Sequence, residues 1–298
     1  PKEIHSPLIK RLLKPGTGTY LVPLYFLLIL LVGCFILPQY GVGWDEDGQR
    51  QKGRIAYDYA HDYFDLEHDT LEPKKSFATF DQHFYNMIFP LTASVLSESL
   101  GVSSKEPTSR PAMLVWHYFL FGSRFLGFIA FYRLLLLRFN DWRWALLGMS
   151  LLLLSARVSF HSFFNIKDSV MQAVVSVASL TFFQLLKRRT VSAALVLGAV
   201  SGLAIAVRPV GVILPALTVA FFVLERLNRR AGIIDWLKWF ARLVVYGLVL
   251  CAVTTALWPY LWDEPYYRFL LAWEKFSAFP WSGEILLFNE KLDAKALP

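Results

Sequence analysis

The run YLVPLYFLLILLVGCFIL, residues 20–37, contains no charged side chain. A bilayer hydrocarbon core about 30 Å thick is crossed by roughly 20 apolar residues in a helix. This run therefore reads as a membrane span. Six further apolar runs follow: 113–137, interrupted by Arg124 and Arg133, then 144–158, 169–186, 192–207, 212–224 and 240–260. The fold class expected is all-α, a polytopic transmembrane bundle of about seven spans within one integral membrane domain, 1–298.

Composition agrees. The 298 residues are 55% hydrophobic and only 18% charged, with a mean hydropathy of +0.43, too apolar for an ordinary soluble domain. Aromatic residues make up 16% of the chain, which suits helices with interfacial anchors. The net charge of +7 reads as an excess of basic loops on the cytoplasmic side, with no nucleic-acid partner expected. Cys34 and Cys251 both fall inside spans and define no disulfide framework. The chain opens at Pro1 with a polar, basic arm and ends at Pro298 without a terminal signal, which suggests the N-terminal part of a longer protein.

Basic residues in short loops set orientation. Lys10, Arg11 and Lys14, then Arg138 and Arg143, then Lys187–Arg189, then Arg226, Arg229 and Arg230 all fall on one side of seven spans. That side is cytoplasmic, so the N-terminus is cytoplasmic too. The other side receives the loop 38–110, the link 161–168, the turn 208–211 and the tail after Trp258. In the loop, Ile55, Tyr59, Tyr63 and Leu66 recur at helical spacing, as do Phe80, Phe84, Met87, Leu91 and Val95. Both stretches predict amphipathic helices on the outer membrane surface. Another amphipathic stretch, 233–239, is expected on the cytoplasmic surface, and the tail 263–298 holds no further span.

Polar residues cluster on the outer side. Gly43-Trp44-Asp45-Glu46-Asp47-Gly48 follows the first span. A partly desolvated carboxylate there is able to accept a proton from a hydroxyl or amine; the alternative is a solvated loop whose acids cap the next helix. Arg157-Val-Ser-Phe-His161-Ser-Phe-Phe-Asn165-Ile-Lys167-Asp168 links spans three and four. Lys167 at a helix start suits a phosphate, with Asp168 orienting it or capping span four; an interfacial cap with a snorkelling lysine is the competing reading. Arg208, followed by Pro209 and Gly211, interrupts a long apolar stretch. Charge there invites a partner, and Arg binds phosphate bidentately; a snorkelling arginine at a loop is the competing reading. Arg124 and His117 share a face of span two, where a structural ion pair is expected for Arg124. The segment Trp258-Pro-Tyr-Leu-Trp262 reads as an interfacial belt, and His61, His68 and His83 read as surface residues. No nucleotide-binding glycine motif or firm metal-ligand spacing occurs.

The acidic motif after span one, His161-Ser-Phe-Phe-Asn-Ile-Lys-Asp168, the Arg-Pro-x-Gly turn at 208–211 and the 258–262 segment, in that order and on one side, resemble the GT-C class of integral membrane glycosyltransferases. They are most similar to bacterial relatives of protein O-mannosyltransferases and aminoarabinose transferases. The resemblance implies inverting transfer from a polyprenyl-phosphate-linked sugar to an acceptor glycan, lipid or protein, on the periplasmic face of a bacterial inner membrane. Asp45 is then the general base with Glu46 beside it. Lys167 and Arg208, with His161 and Arg157, hold the donor phosphate, and Asp168, Asn165 and Arg124 support them. Relatives commonly carry Pro where this chain has Ile166, and they continue with more spans. No cofactor is expected; a divalent cation is compatible with the acids. The alternative function is a lipid-carrier flippase or transporter that binds the same headgroup without breaking a bond.

Overall fold

The computed structural model describes residues 16–43, 45–73, 75–103, 105, 109–228, 232–278, 284–287 and 290–293. Among them are eleven α-helices: α1 (Gly18–Ile36), α2 (Glu46–Tyr63), α3 (Ile88–Ser99), α4 (Arg110–Phe139), α5 (Trp142–Leu154), α6 (Ala156–Phe164), α7 (Ile166–Arg188), α8 (Val191–Val207), α9 (Ile213–Asn228), α10 (Ile233–Leu257) and α11 (Pro265–Ser277). The all-α expectation holds; beside the helices there is one short antiparallel hairpin, β1 (Glu284–Leu287) with β2 (Glu290–Asp293). Trp44, the basic N-terminal arm with Lys10, Arg11 and Lys14, and Arg229 and Arg230 lie outside the described residues.

Among the described residues four stretches are long and apolar enough to cross a membrane: 18–39, α4, α7 and α10. In the first and last of these only 17% and 11% of the most apolar window is buried within the protein, so most of that surface needs lipid around it. The third expected span is corrected. It breaks at Ser155, and α5 and α6 meet at 70°, forming a broken span or a re-entrant loop. The fifth and sixth runs form apolar helices, but α8 has 17 residues and α9 has 16. The stretch 233–239 is not a separate surface helix; it is the first part of α10.

Packing follows small residues and helix stops. Gly198 and Gly202 on α8 face α10 so closely that a Cβ on either would fall 2.7 Å from the Tyr246 carbonyl oxygen or 2.8 Å from that of Leu250. A glycine at i and i+4 lets two apolar helices touch backbone to backbone, which lipid alone does not drive. Helices α4 and α7 each end on a left-handed residue, Asn140 and Arg189, whose backbone N–H caps the last turn.

The helices have two chemically distinct ends. Trp142 packs against Gly18, so α1 starts beside the Arg138–Arg143 connection. Arg189 pairs with Glu225 at 2.5 Å, which brings the ends of α7 and α9 together. At its other end α7 begins with Lys167 and Asp168; its 23 residues span about 35 Å at 1.5 Å each.

Over that second end lies a layer made of α2, α3, the chain between them, α11 and residues 258–262. The first expected loop helix forms, and it starts earlier, at Glu46; Leu66 lies beyond its end and is exposed. The second begins only at Ile88, so Phe80, Phe84 and Met87 lie in the turns and irregular chain that lead into it. They are buried all the same, in a cluster with Ile55, Ala56, Ile205, Trp258, Tyr260 and Leu261. Trp258 and Tyr260 are therefore core residues of this layer, correcting their reading as an interfacial belt. His61, His68 and His83 are half-buried: His61 and His83 bond the carbonyls of Tyr57 and Phe80, and His68 lies 3.6 Å from Asp58.

Candidate functional site

Three separate segments meet at the second end. The first is the start of α2. Asp45 occupies the N-cap position yet makes no cap hydrogen bond with its side chain. Its carboxylate instead accepts from Lys167 Nζ at 2.8 Å. The helix-capping reading of this acid is thereby overturned. Glu46 turns the other way. It is wholly buried, accepting from the Gly43 backbone N–H at 2.9 Å and from Arg50 Nε at 3.1 Å, with His117 Nε2 at 3.0 Å. Burial raises the Glu46 carboxyl pKa, but His117, the Gly43 N–H and Arg50 outweigh it and hold the group below the usual carboxylate range. Glu46 has no oxygen left for a substrate; it anchors the first turn of α2 to α4.

The second segment is the junction of α6 and α7. Asn165 breaks the helix in an extended conformation, and its Oδ1 accepts from the Asp168 N–H at 2.9 Å. Its amide nitrogen also donates to Asp168 Oδ2 at 3.2 Å and contacts His161 Nδ1 at 3.0 Å. Ser169 Oγ donates to the His161 carbonyl at 2.7 Å. The cap thus aims the side chains of Lys167 and Asp168 while Asn165, not Asp168, closes the helix. Arg124, buried on α4, donates to the Ser169 carbonyl at 3.3 Å, and its guanidinium lies 4.8 Å from the Phe128 ring centroid. No carboxylate of a described residue pairs with it, which corrects the expected ion pair. Arg157, exposed in the first turn of α6, makes no ion pair or side-chain hydrogen bond with a described residue and is not drawn into the cluster.

The third segment is the turn after α8. Arg208 is extended, its N–H closes the last turn of α8 on Ala204, and its carbonyl accepts from the Gly211 N–H at 2.8 Å. Gly211 folds back onto α8, where a Cβ would lie 2.5 Å from the Ala204 carbonyl carbon. No side chain fits there. Asn86 secures the same helix end by donating to the Ile205 carbonyl at 2.8 Å. The Arg208 guanidinium so placed pairs with Asp168 Oδ1.

Asp45–Lys167 and Asp168–Arg208 therefore form one linked constellation, joined through two consecutive residues. The side chains are between 37% and 53% exposed, so both pairs are open to water and to ligands. Exposed pairs contribute only about 0–1 kcal/mol. An anionic ligand can displace either carboxylate at small cost. A groove of about 250 Å³ lies directly below, lined by Val170 and Val174 of α7, Val200, Leu203 and Val207 of α8, and Phe119 of α4. It is almost wholly apolar, and Val207 adjoins Arg208.

The sequence reading missed Lys52, His117 as the Glu46 partner, and Asn86. Lys52 is buried on α2 near Asp45 and Lys167; burial, then Lys167, push its pKa down to about 8 against the pull of Asp45. A signal existed: Lys52 lies seven residues beyond Asp45, on the same helical face. A second cavity, about 650 Å³, lies between the far end of α2 and α11, among Asp58, Asp62, Tyr260, Asp263, Tyr267 and Arg268. At 1.5 Å per residue it is roughly 15–25 Å along α2 from Asp45. Among the described residues no three His, Cys, Asp or Glu side chains gather so as to hold a metal ion. No protein-family model, curated protein or solved structure matches this chain.

Proposed function

We propose that the protein is a membrane-embedded glycosyltransferase of the GT-C kind. It moves a sugar from a polyprenyl-phosphate donor to a glycan, lipid or protein acceptor on the periplasmic face of a bacterial inner membrane. The observation that carries this reading is the linked pairing of Asp45 with Lys167 and Asp168 with Arg208 at the mouth of an apolar groove. An acid, two cations and an apolar slot for the first isoprene units are what a lipid-phosphate sugar donor requires.

The chemistry follows from the positions. The donor's isoprenoid chain lies in the groove and its phosphate exchanges for the carboxylates on Lys167 and Arg208. Asp45, released from Lys167, takes the proton from the acceptor's O–H or N–H. The acceptor atom bonds to the anomeric carbon from the face opposite the phosphate. The C–O bond to phosphate breaks, its electron pair stays on the phosphate oxygen, and the configuration inverts. Lys167 and Arg208 stabilise that growing charge, commonly the largest electrostatic contribution in such a step. Glu46 positions Asp45 and takes no proton. His161 and Asn165 hold Asp168, hence Arg208, in place.

Reconstituted protein supplied with polyprenyl-phosphate sugars and acceptors tests this. Asp45→Asn is expected to lower turnover by about 10²–10⁴-fold, the usual worth of a general base, while donor affinity stays within a few-fold. Undiminished turnover in that variant removes Asp45 as the base. Movement of an intact donor between leaflets, with no sugar released by the wild type, replaces the transferase with a carrier.

A further inference from the structure

Lys52 is 4% exposed, and its ammonium lies 4.1 Å from the Tyr85 ring centroid. It makes no hydrogen bond or ion pair with a described residue. Asp45, at the start of its own helix, and Lys167, from α7, are near enough for their charges to act on it. Among the described residues Tyr85, from the chain before α3, is the titratable side chain whose ring lies against it. A buried lysine with no carboxylate of its own is costly to keep charged. The surrounding charges explain why one is useful here. Asp45 is matched by Lys167 and Asp168 by Arg208. With Lys52 there are three cations against two carboxylates, and the cluster carries one unbalanced positive charge next to a lipid groove.

Resting on the phosphate site proposed above, we infer that Lys52 is a third cation of that site, left without a carboxylate so that the arriving lipid phosphate supplies its counter-charge. The polyprenyl monophosphate left after transfer is close to doubly charged above pH 7, whereas the arriving donor's phosphate, esterified to both sugar and lipid, carries one charge. Either phosphate meets one cation that no acid has to surrender, whereas Lys167 and Arg208 must each leave a partner. Lys52 is partly neutral above pH 8 in the empty site, so binding there takes up a proton. Affinity then falls as pH rises through 8.

The experiment measures binding of the full chain to phosphatidylcholine vesicles containing polyprenyl monophosphate, from pH 7 to 9.5, with inorganic phosphate as a second probe. The wild type is expected to lose about 10-fold in affinity between pH 8 and 9.5, the limit for one linked proton being tenfold per pH unit. Lys52→Met is expected to bind at least 10-fold more weakly at pH 7, with a flat profile. Lys52→Arg keeps its charge and is expected to bind tightly with an equally flat profile; it also guards against misfolding of the Met variant. The effect belongs to the lipid arm, and a Lys52 dependence seen only with free phosphate overturns the assignment. Wild-type affinity and slope in Lys52→Met overturn it as well. Should the wild type itself ignore the phosphate lipid, and Lys167→Ala and Arg208→Ala change nothing, the phosphate site falls along with Lys52. Binding that depends on Lys167 and Arg208 but not on Lys52 sinks only this inference.

Discussion

Asp45 and Glu46 are adjacent carboxylates in contrasting surroundings. Asp45 is half-exposed and bound by one flexible lysine, whereas Glu46 is sealed between Arg50 and His117. Breaking a buried pair by removing one partner costs about 3–5 kcal/mol, so Glu46→Gln is expected to lower the unfolding temperature markedly at neutral pH. Because the folded-state pKa of Glu46 is depressed, its stabilisation is present above the unfolded value of about 4.3 and fades as pH falls through the folded one. The difference between wild type and Glu46→Gln is therefore expected to shrink on acidification below about pH 4, measured by thermal unfolding in detergent. A gap that stays constant with pH removes the charge from this account. The acidic motif, Lys167 and Arg208 were legible because charge is costly beside lipid and stands out in an apolar string. Who pairs with whom was not legible. His117 reaches Glu46 across 71 positions, and Lys52 looks like any solvated helix lysine until Tyr85 covers it.

At the scale of elements, the site depends on how α7 and α8 end. Asn165 and the 208–211 turn place Asp168 and Arg208, and α8 is held in register by its contact with α10. Gly202→Val puts branched carbon where only 2.8 Å separates a Cβ from the Leu250 carbonyl. Overpacking of this kind typically costs about 1–3 kcal/mol. The variant is expected to unfold earlier and to weaken phosphate-lipid binding through displacement of Arg208, read by the same vesicle assay; unchanged stability and binding refute the tight α8–α10 contact. Apolar runs gave away where helices form, since length and hydropathy suffice. They concealed the 70° break at Ser155, because serine followed by alanine carries no stop signal. They also misjudged residues 80–87, whose apolar spacing suits a helix but serves a turn packed under residues 258–261.

Across the whole molecule, basic connections lie at one end of the helices and the paired charges at the other. Single cysteines at Ser192 and at Ser76, in a background with Cys34 and Cys251 replaced, are expected to react with a membrane-impermeant thiol reagent from opposite sides of sealed vesicles. Labelling of both from one side refutes the proposed orientation.

Two of the shorter apolar helices, α8 and α9, flank Arg208. At 17 and 16 residues they reach only about 25 Å, less than the roughly 30 Å of an average hydrocarbon slab. Hydrophobic mismatch of this size makes lipid compress beside a short segment. The leaflet surface is therefore expected to dip next to the groove, bringing headgroups toward the depth of the guanidinium. A carrier lipid diffusing into that dimple arrives with its anionic end closer to its receptor, so less of the binding energy goes into lifting it out of the membrane.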